Sequence, residues 1–235
     1  MSEHLPQRAL VIMAHPDDPE FFCGGTVARW VRAGCDVTYV VITRGDKGSD
    51  VPDMTPDRLM ILRMAEQRTA AAFLGVKEVV FLDYHDGELV PDMRLREDLV
   101  RQIRLHRPDT VILPDPTTYY IGDSRINHPD HRAAGEAALA AVFPIARGRL
   151  NFPQHEGRGL LPHTVNHVFI AGPHESNHQV DITEVFDLKM AAILAHKSQI
   201  AHPAELEARL RERARTLMPD GREIYVEQFR WMKLT

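Results

Sequence analysis

The stretch "ALVIMAHPDDPEFFCGG", residues 9–25, places an imidazole and two carboxylates (His15, Asp17 and Asp18) directly after six apolar residues. Carboxylates at the end of a buried strand are costly unless a cation or a set of hydrogen bonds compensates them. A divalent metal is one such compensator, because His15 and Asp18 can offer a nitrogen and an oxygen from one tight turn. A second imidazole stands far along the chain in "HPDH", residues 128–131. Two histidines and one aspartate make an incomplete shell that leaves room for water, the pattern of a catalytic rather than a structural zinc site. The plainer alternative is that Asp17 or Asp18 caps the following turn, His15 packs, and Asp130 and His131 decorate a helix start. Neither motif decides by itself; the two together, each after a strand, favour the metal. Most of the thirteen histidines are ordinary surface residues, an account that suits His15, His128 and His131 least.

These groups need elements that bring them to one place. Residues 9–14 read as a short buried strand. Gly24-Gly25 precede "TVARWVRAG", in which Thr26 suits an N-cap, Val27, Trp30 and Val31 share a helical face, and Gly34 suits a stop. "DVTYVVIT" (36–43) is dense in β-formers, and "RGDKGSDVPDMTP" (44–56) is a polar loop. "DRLMILRMAEQRTAAAFLG" reads as a helix stopped by Gly75, "EVVFL" (78–82) as a strand and "DYHDGEL" as a turn. "RLREDLVRQIRLHRP" is an amphipathic helix ended by Pro108, followed by the strand "TVILP" (110–114). The order β-α-β-α-β-α-β predicts an α/β fold: a three-layer, doubly wound, mostly parallel, Rossmann-like sheet with its active site at the carboxyl ends of the strands.

After a polar loop, "HPDHRAAGEAALAAVF" reads as a helix with His128 near its start and Pro129 in its first turn. Residues 144–162 are irregular, and a loop of that length is expected to be functional and to shape the choice of ligand. "VNHVFIAG" reads as a strand, and "DITEVFDLKMAAILAHKSQI" and "AELEARLRERARTL" as helices. "EIYVEQFRWM" alternates enough for either a strand or a short helix. Without repeats or low-complexity linkers, a single domain over residues 1–235 is expected.

Composition narrows the function classes. A net charge of -5 with scattered basic residues gives no footprint for nucleic acid. No apolar run approaches the roughly 18 residues of a membrane span, and the first ten residues lack the pattern of a signal peptide. Cys23 and Cys35 are too few for a disulfide framework and fit buried packing in a reducing compartment. A soluble, cytoplasmic protein is the plain expectation.

On a parallel sheet the polar clusters fall at one rim. His15, Asp17 and Asp18 follow the first strand, Arg44 and Asp46 the second, Asp83 to Asp86 the third, and Asp115 with the loop to His128 and His131 the fourth. Here the sequence resembles a known family. "AHPDDPEFFCGGT" is similar to the AHPDDE…GGT signature of the LmbE-like, PIG-L-type zinc N-deacetylases, and "HPDHR" to the same family's second motif. "RMAEQRTAAAFLG", "LDYHDGEL" and "LKMAAILAHKSQ" resemble its R-x-x-E helix, its Asp-Gly turn and its His-x-Ser-Gln helix end, in the right order over roughly residues 8–200.

That resemblance implies a zinc ion, one per chain and replaceable by other divalent ions, held by His15, Asp18 and His131. It implies Asp17 as general base and His128 as the imidazole that stabilises the oxyanion or protonates the leaving amine. Arg63 and Asp86 match residues that hold substrate hydroxyls or orient the site. The reaction implied is removal of an acetyl group from an N-acetylglucosamine-type amino sugar, free or in a glycoside or conjugate, by a homo-oligomer (a trimer or hexamer). Two departures stand out: Pro19 occupies the place of the signature's glutamate, and Ile126-Asn127 stand where some relatives carry a tyrosine. Tyr119 or Tyr120 is a candidate to substitute for that tyrosine.

Zinc would polarise the acyl oxygen and lower the pKa of bound water from about 16 towards about 7. His128 needs a raised pKa to act as a cation, and Asp115 or Asp130 is the carboxylate expected to raise it. Two other classes compete. A magnesium-dependent phosphatase-like hydrolase calls for more carboxylates and fewer imidazoles. A non-catalytic carbohydrate- or metal-binding protein has no need of the spare carboxylate of Asp17.

Overall fold

The structure, a computed structural model, describes residues 4–235. Strand β1 (Arg8–Met13) alternates strictly: Ala9, Val11 and Met13 enter one core, Leu10 and Ile12 the other, and Ala14 continues the second set. A strand buried on both faces needs a covering layer on each side. β2 (Asp36–Thr43), β3 (Glu78–Tyr84) and β4 (Thr110–Pro114) lie parallel to it in the order β3-β2-β1-β4. Helices α1 (Asp18–Arg32) and α2 (Pro56–Phe73) connect the first three strands, and α3 (Met93–His106) leads into β4. The order reverses between β1 and β4, so their carboxyl ends frame the crevice where open α/β sheets place their sites.

Beyond β4, the antiparallel hairpin of β5 (Tyr120–Ile121) and β6 (Arg125–Ile126) precedes α4 (Pro129–Ala140). β7 (His167–Ala171) extends the sheet in parallel on β4. β8 (His178–Asp181), helices α5 (Phe186–Ile193) and α6 (Pro203–Ala214), and β9 (Arg215–Leu217) lead to β10 (Glu223–Lys233). β10 pairs antiparallel with β7, β8 and β9, which settles the alternating C-terminal segment as a strand. The sheet is therefore α/β and mostly parallel with an antiparallel edge.

One core packs Trp30, Tyr39, Phe169, Phe186 and Phe229 with α1 and α5; the other packs Leu95, Leu99, Ile103, Ala134 and Ala137 with α3 and α4. The first helix differs from expectation. It begins at Asp18, with Pro19 in its first turn, and is broken at Cys23 (φ −146°). Thr26 is not its N-cap; instead the carboxylate of Glu227 accepts the N–H groups of Gly25 (2.9 Å) and Thr26 (2.7 Å), which the break leaves open. Gly25 is required there because a Cβ would lie 2.7 Å from Ile182. Among the described residues no helix is long and apolar enough to cross a membrane.

Candidate metal and catalytic site

Asp17 adopts φ 106°, ψ −34°, a conformation costly for a residue with a Cβ, at about 1–3 kcal/mol. Several bonds hold it there. Its N–H donates to Gln67 Oε1 (2.8 Å), and its carbonyl accepts from Glu20 (3.0 Å) and Phe21 (3.1 Å). Arg63 donates to the Pro16 carbonyl (2.6 Å) and to Asp17 Oδ2 (3.3 Å). Asp17 Oδ1 accepts from no described residue, and the side chain keeps 19% of its surface. Asp17 thus presents one anchored and one open oxygen.

His15, Asp18 and His131 offer donor atoms that all lie within 4.8 Å of one another. His15 Nε2 faces Asp86 Oδ1 and Asp130 Oδ2, each at 3.2 Å, and donates its proton to them. That leaves Nδ1 an acceptor, 3.4 Å from Asp18 Oδ2. His131 Nδ1 donates to Asn127 Oδ1 (3.0 Å), so its Nε2 lone pair faces Asp18 Oδ1 at 3.1 Å. A metal ion placed between them would satisfy these facing lone pairs, as would a proton on the ring. Two imidazoles, each oriented through its far nitrogen, and one carboxylate suit a borderline ion such as zinc.

A second group, His15, Asp86, His128 and Asp130, also lies within 4.8 Å. It fits an ion less well, since Asp130 is spent on the N–H groups of Gly87 (2.7 Å) and Leu89 (3.2 Å) as well as His15. Asp130 instead locks the Asp-Gly turn against His15.

The electrostatics match this geometry. Burial works against ionisation of Asp18, but His131 and His15 hold its carboxyl well below the usual range. Burial pushes Asp17 up to about 6, with Arg63 opposing and Asp18 adding. Burial also opposes charge on His15, yet Asp130, Asp18 and Asp86 raise it well above its ordinary value, so without a metal a proton on Nδ1 faces Asp18, and a bound ion would take that proton's place.

His128 contradicts its expectation. Its pKa is lowered, by burial first and then by His15. It is the N-cap of α4, where Nδ1 accepts the Asp130 N–H (3.2 Å), so a neutral ring carries its proton on Nε2. Asp115 is spent on Thr117, Thr118 and the His174 N–H. Asp130 is 4.0 Å from Nδ1, and the carboxylate nearest Nε2 is that of Asp86, at 3.8 Å.

Arg63 is 4% exposed and spans the Pro16 carbonyl, Asp17, the Gly45 carbonyl (3.1 Å) and Asp86 (3.7 Å), not Glu66. Gly45 (φ 64°) is needed beside it, because a Cβ would lie 2.6 Å from the guanidinium. Asp86 therefore touches His15, faces His128 and neighbours Arg63. Asp46 accepts from His85 Nδ1 (2.8 Å) and the Asp86 N–H (2.9 Å), while Arg44 pairs with Asp83.

Tyr119 lies under the Arg132 guanidinium, 4.3 Å from ring centroid to Cζ, and Tyr120 is exposed on the hairpin. Residues 144–162 do not border this site. Arg104, in the last turn of α3, binds the carbonyls of residues 145, 146, 148, 151 and 152, which fixes that segment at the amino ends of the strands. Missed in the sequence were Asn127, Gln67, Glu20 and His196; only the R-x-x-E and His-x-Ser-Gln patterns hinted at the latter elements.

Comparison with known proteins agrees with this geometry. Residues 10–142 match the family model PIG-L, GlcNAc-PI de-N-acetylase. The diacetylchitobiose deacetylase of Thermococcus kodakarensis is 36% identical over 194 residues, covering 82% of this chain and 70% of that protein. A solved N,N'-diacetylchitobiose deacetylase from Pyrococcus horikoshii superposes with a TM-score of 0.88 at 32% identity, covering 97% and 84% of the two chains. The 4-carboxy-2-hydroxymuconate hydratase GalB of Pseudomonas putida shares the fold (TM-score 0.78, 23% identity, 97% of each chain). A family model covering more than half the chain and a relative aligned over most of it place this protein in the PIG-L family, to which it belongs.

Proposed function

We propose that this protein is a zinc-dependent hydrolase that removes the acetyl group from an N-acetylglucosamine-type amino sugar, free or in a glycoside or conjugate. The observation that carries this reading is Asp17, a carboxylate with one oxygen held by Arg63 and the other open, beside three convergent metal donors. The deacetylases among its relatives support the reaction class. His15, Asp18 and His131 would hold the ion, which would polarise the acyl oxygen and acidify a water.

In this reading the open oxygen of Asp17 takes the proton of the attacking water, and burial keeps its affinity near the range a general base needs. Arg63 keeps Asp17 aligned. His128 acts as a neutral donor: its Nε2–H, opposite the Nδ1 held by the Asp130 N–H, bonds the oxyanion. Asp17, once protonated, is the group placed to return a proton to the leaving amine. Asp86 orients His15 and offers the pocket a carboxylate for a substrate hydroxyl.

The test is acetate release from N-acetylglucosamine, its short oligomers and its conjugates, with zinc added and then chelated. Zinc-dependent acetate is the expected result. If no acetate formed from any N-acetyl amino sugar, the deacetylase reading would fail, and a hydratase-like or binding role on the shared fold would take its place.

A further inference from the structure

Behind the Asp17 turn runs a chain of three polar side chains with no exposed surface: Gln67, Glu20 and His196. Gln67 Nε2 donates to both oxygens of Glu20 (2.9 and 3.1 Å), and His196 Nε2 donates to Glu20 Oε2 (3.1 Å). The far end of the Gln67 amide, Oε1, accepts the N–H of Asp17. We propose that these three residues are a positioning relay that holds Asp17 in its left-handed backbone conformation, and so aims its carboxylate. This rests on the reading of Asp17 as the general base.

The polarity of the relay is what does the positioning. An amide presents a donor at one end and an acceptor at the other, and by itself either end can face Asp17. An ionised carboxylate only accepts, so Glu20 compels the NH2 of Gln67 to face it. The acceptor oxygen is then left facing the Asp17 N–H, the one group the strained turn must satisfy. His196 in turn holds Glu20 from a position 176 residues away in the chain.

The same segment grips α2 and the neighbouring loop. Ser198 donates to Glu66 through its N–H (2.8 Å) and its hydroxyl (2.6 Å), and Gln199 donates to the Gly48 carbonyl (3.1 Å). Stability alone does not call for such a relay. Buried carboxylate–imidazole pairs are often replaced by apolar residues without loss, and His196 Nδ1 is buried here with no partner.

The experiment compares Gln67→Met, Glu20→Met and the exchange variant Glu20→Gln/Gln67→Glu, which swaps carboxylate and amide while keeping an acceptor for the Asp17 N–H, one amide–carboxylate bond between the two side chains and an acceptor for His196. N-acetylglucosamine and N,N'-diacetylchitobiose serve as probes, with bound zinc measured on each preparation. Both single variants should lower kcat about 10- to 100-fold with KM and zinc content unchanged, and the exchange should recover most of the loss. A crystal structure of Gln67→Met gives a readout independent of turnover: Asp17 should leave its positive φ. Asp17 keeping φ near 106° in that variant, turnover falling only in step with zinc, or KM rising with kcat intact would overturn the relay. Asp17→Asn separates the two ideas. Activity surviving in Asp17→Asn would sink the general-base reading itself, whereas its loss there, with kcat intact in Gln67→Met, would sink only the relay.

Discussion

The two ends of the sheet are both rich in polar side chains, yet they use them in opposite ways. At the amino ends, the buried Arg104 is consumed by five backbone carbonyls of the 145–152 segment, and His163 Nε2 donates to the Pro108 carbonyl (2.7 Å). Donors and acceptors there cancel, and the result is structure. At the carboxyl ends, His15 Nδ1, the Asp18 carboxylate and His131 Nε2 converge with acceptors facing acceptors. Charge density does not distinguish the two regions; the surplus of lone pairs does. Long irregular loops are commonly functional, but here the long segment packs beneath the sheet, and short turns build the site.

Breaking each end should give separable losses. The largest effect is expected at the carboxyl end: Asp18→Ala or His131→Ala should remove bound zinc and turnover together, seen by metal analysis and acetate release. At the amino end the pattern should reverse. Arg104→Met leaves several carbonyls without donors, at a cost of about 3 kcal/mol or more, which lowers Tm by roughly 6–12 °C for a chain of this size. Its turnover per folded molecule, measured well below Tm, should match the wild type. A fall in kcat for Arg104→Met would show that the two ends are coupled.

Smaller effects sharpen the contrast. Asn127→Ala frees the far nitrogen of His131 and should weaken zinc binding about 10- to 100-fold, read by competition with a chromophoric chelator. At the amino end, His4 bonds the Thr110 hydroxyl (2.9 Å) and packs beside His167, Phe169 and Trp231. Burial, aided by His167, lowers its pKa from 6.5 to about 4. The unfolded chain therefore binds the extra proton between those values, so stability falls as pH drops from 6.5 towards 4. His4→Leu should flatten part of that slope in thermal melts without altering zinc affinity.

Much of this was legible in the sequence because it is local. The apolar run of residues 9–14, the β-formers of β2 and the glycine stop after α2 each lie within a few residues, and they suffice for the parallel half of the sheet. His15, Asp17 and Asp18 share one turn, and parallel topology brings HPDH to the same crevice. What stayed hidden depends on distant partners. Glu20 meets His196 across 176 residues, and Glu227 reaches the N–H groups of Gly25 and Thr26 across 202 and 201. The strands of the β5–β6 hairpin are two residues each, too short for any periodicity. The protonation expected of His128 failed for a related reason: Asp115, near enough in sequence, is spent on its own turn.

If convergent donors hold the ion while Asp17 supplies the base, metal binding and turnover separate in a single variant, Asp17→Asn. Zinc content and acetate release are to be measured together on Asp17→Asn, against wild type handled identically. One zinc per chain is expected in both proteins, and acetate only from the wild type. Acetate release persisting in zinc-loaded Asp17→Asn would contradict Asp17 as the base.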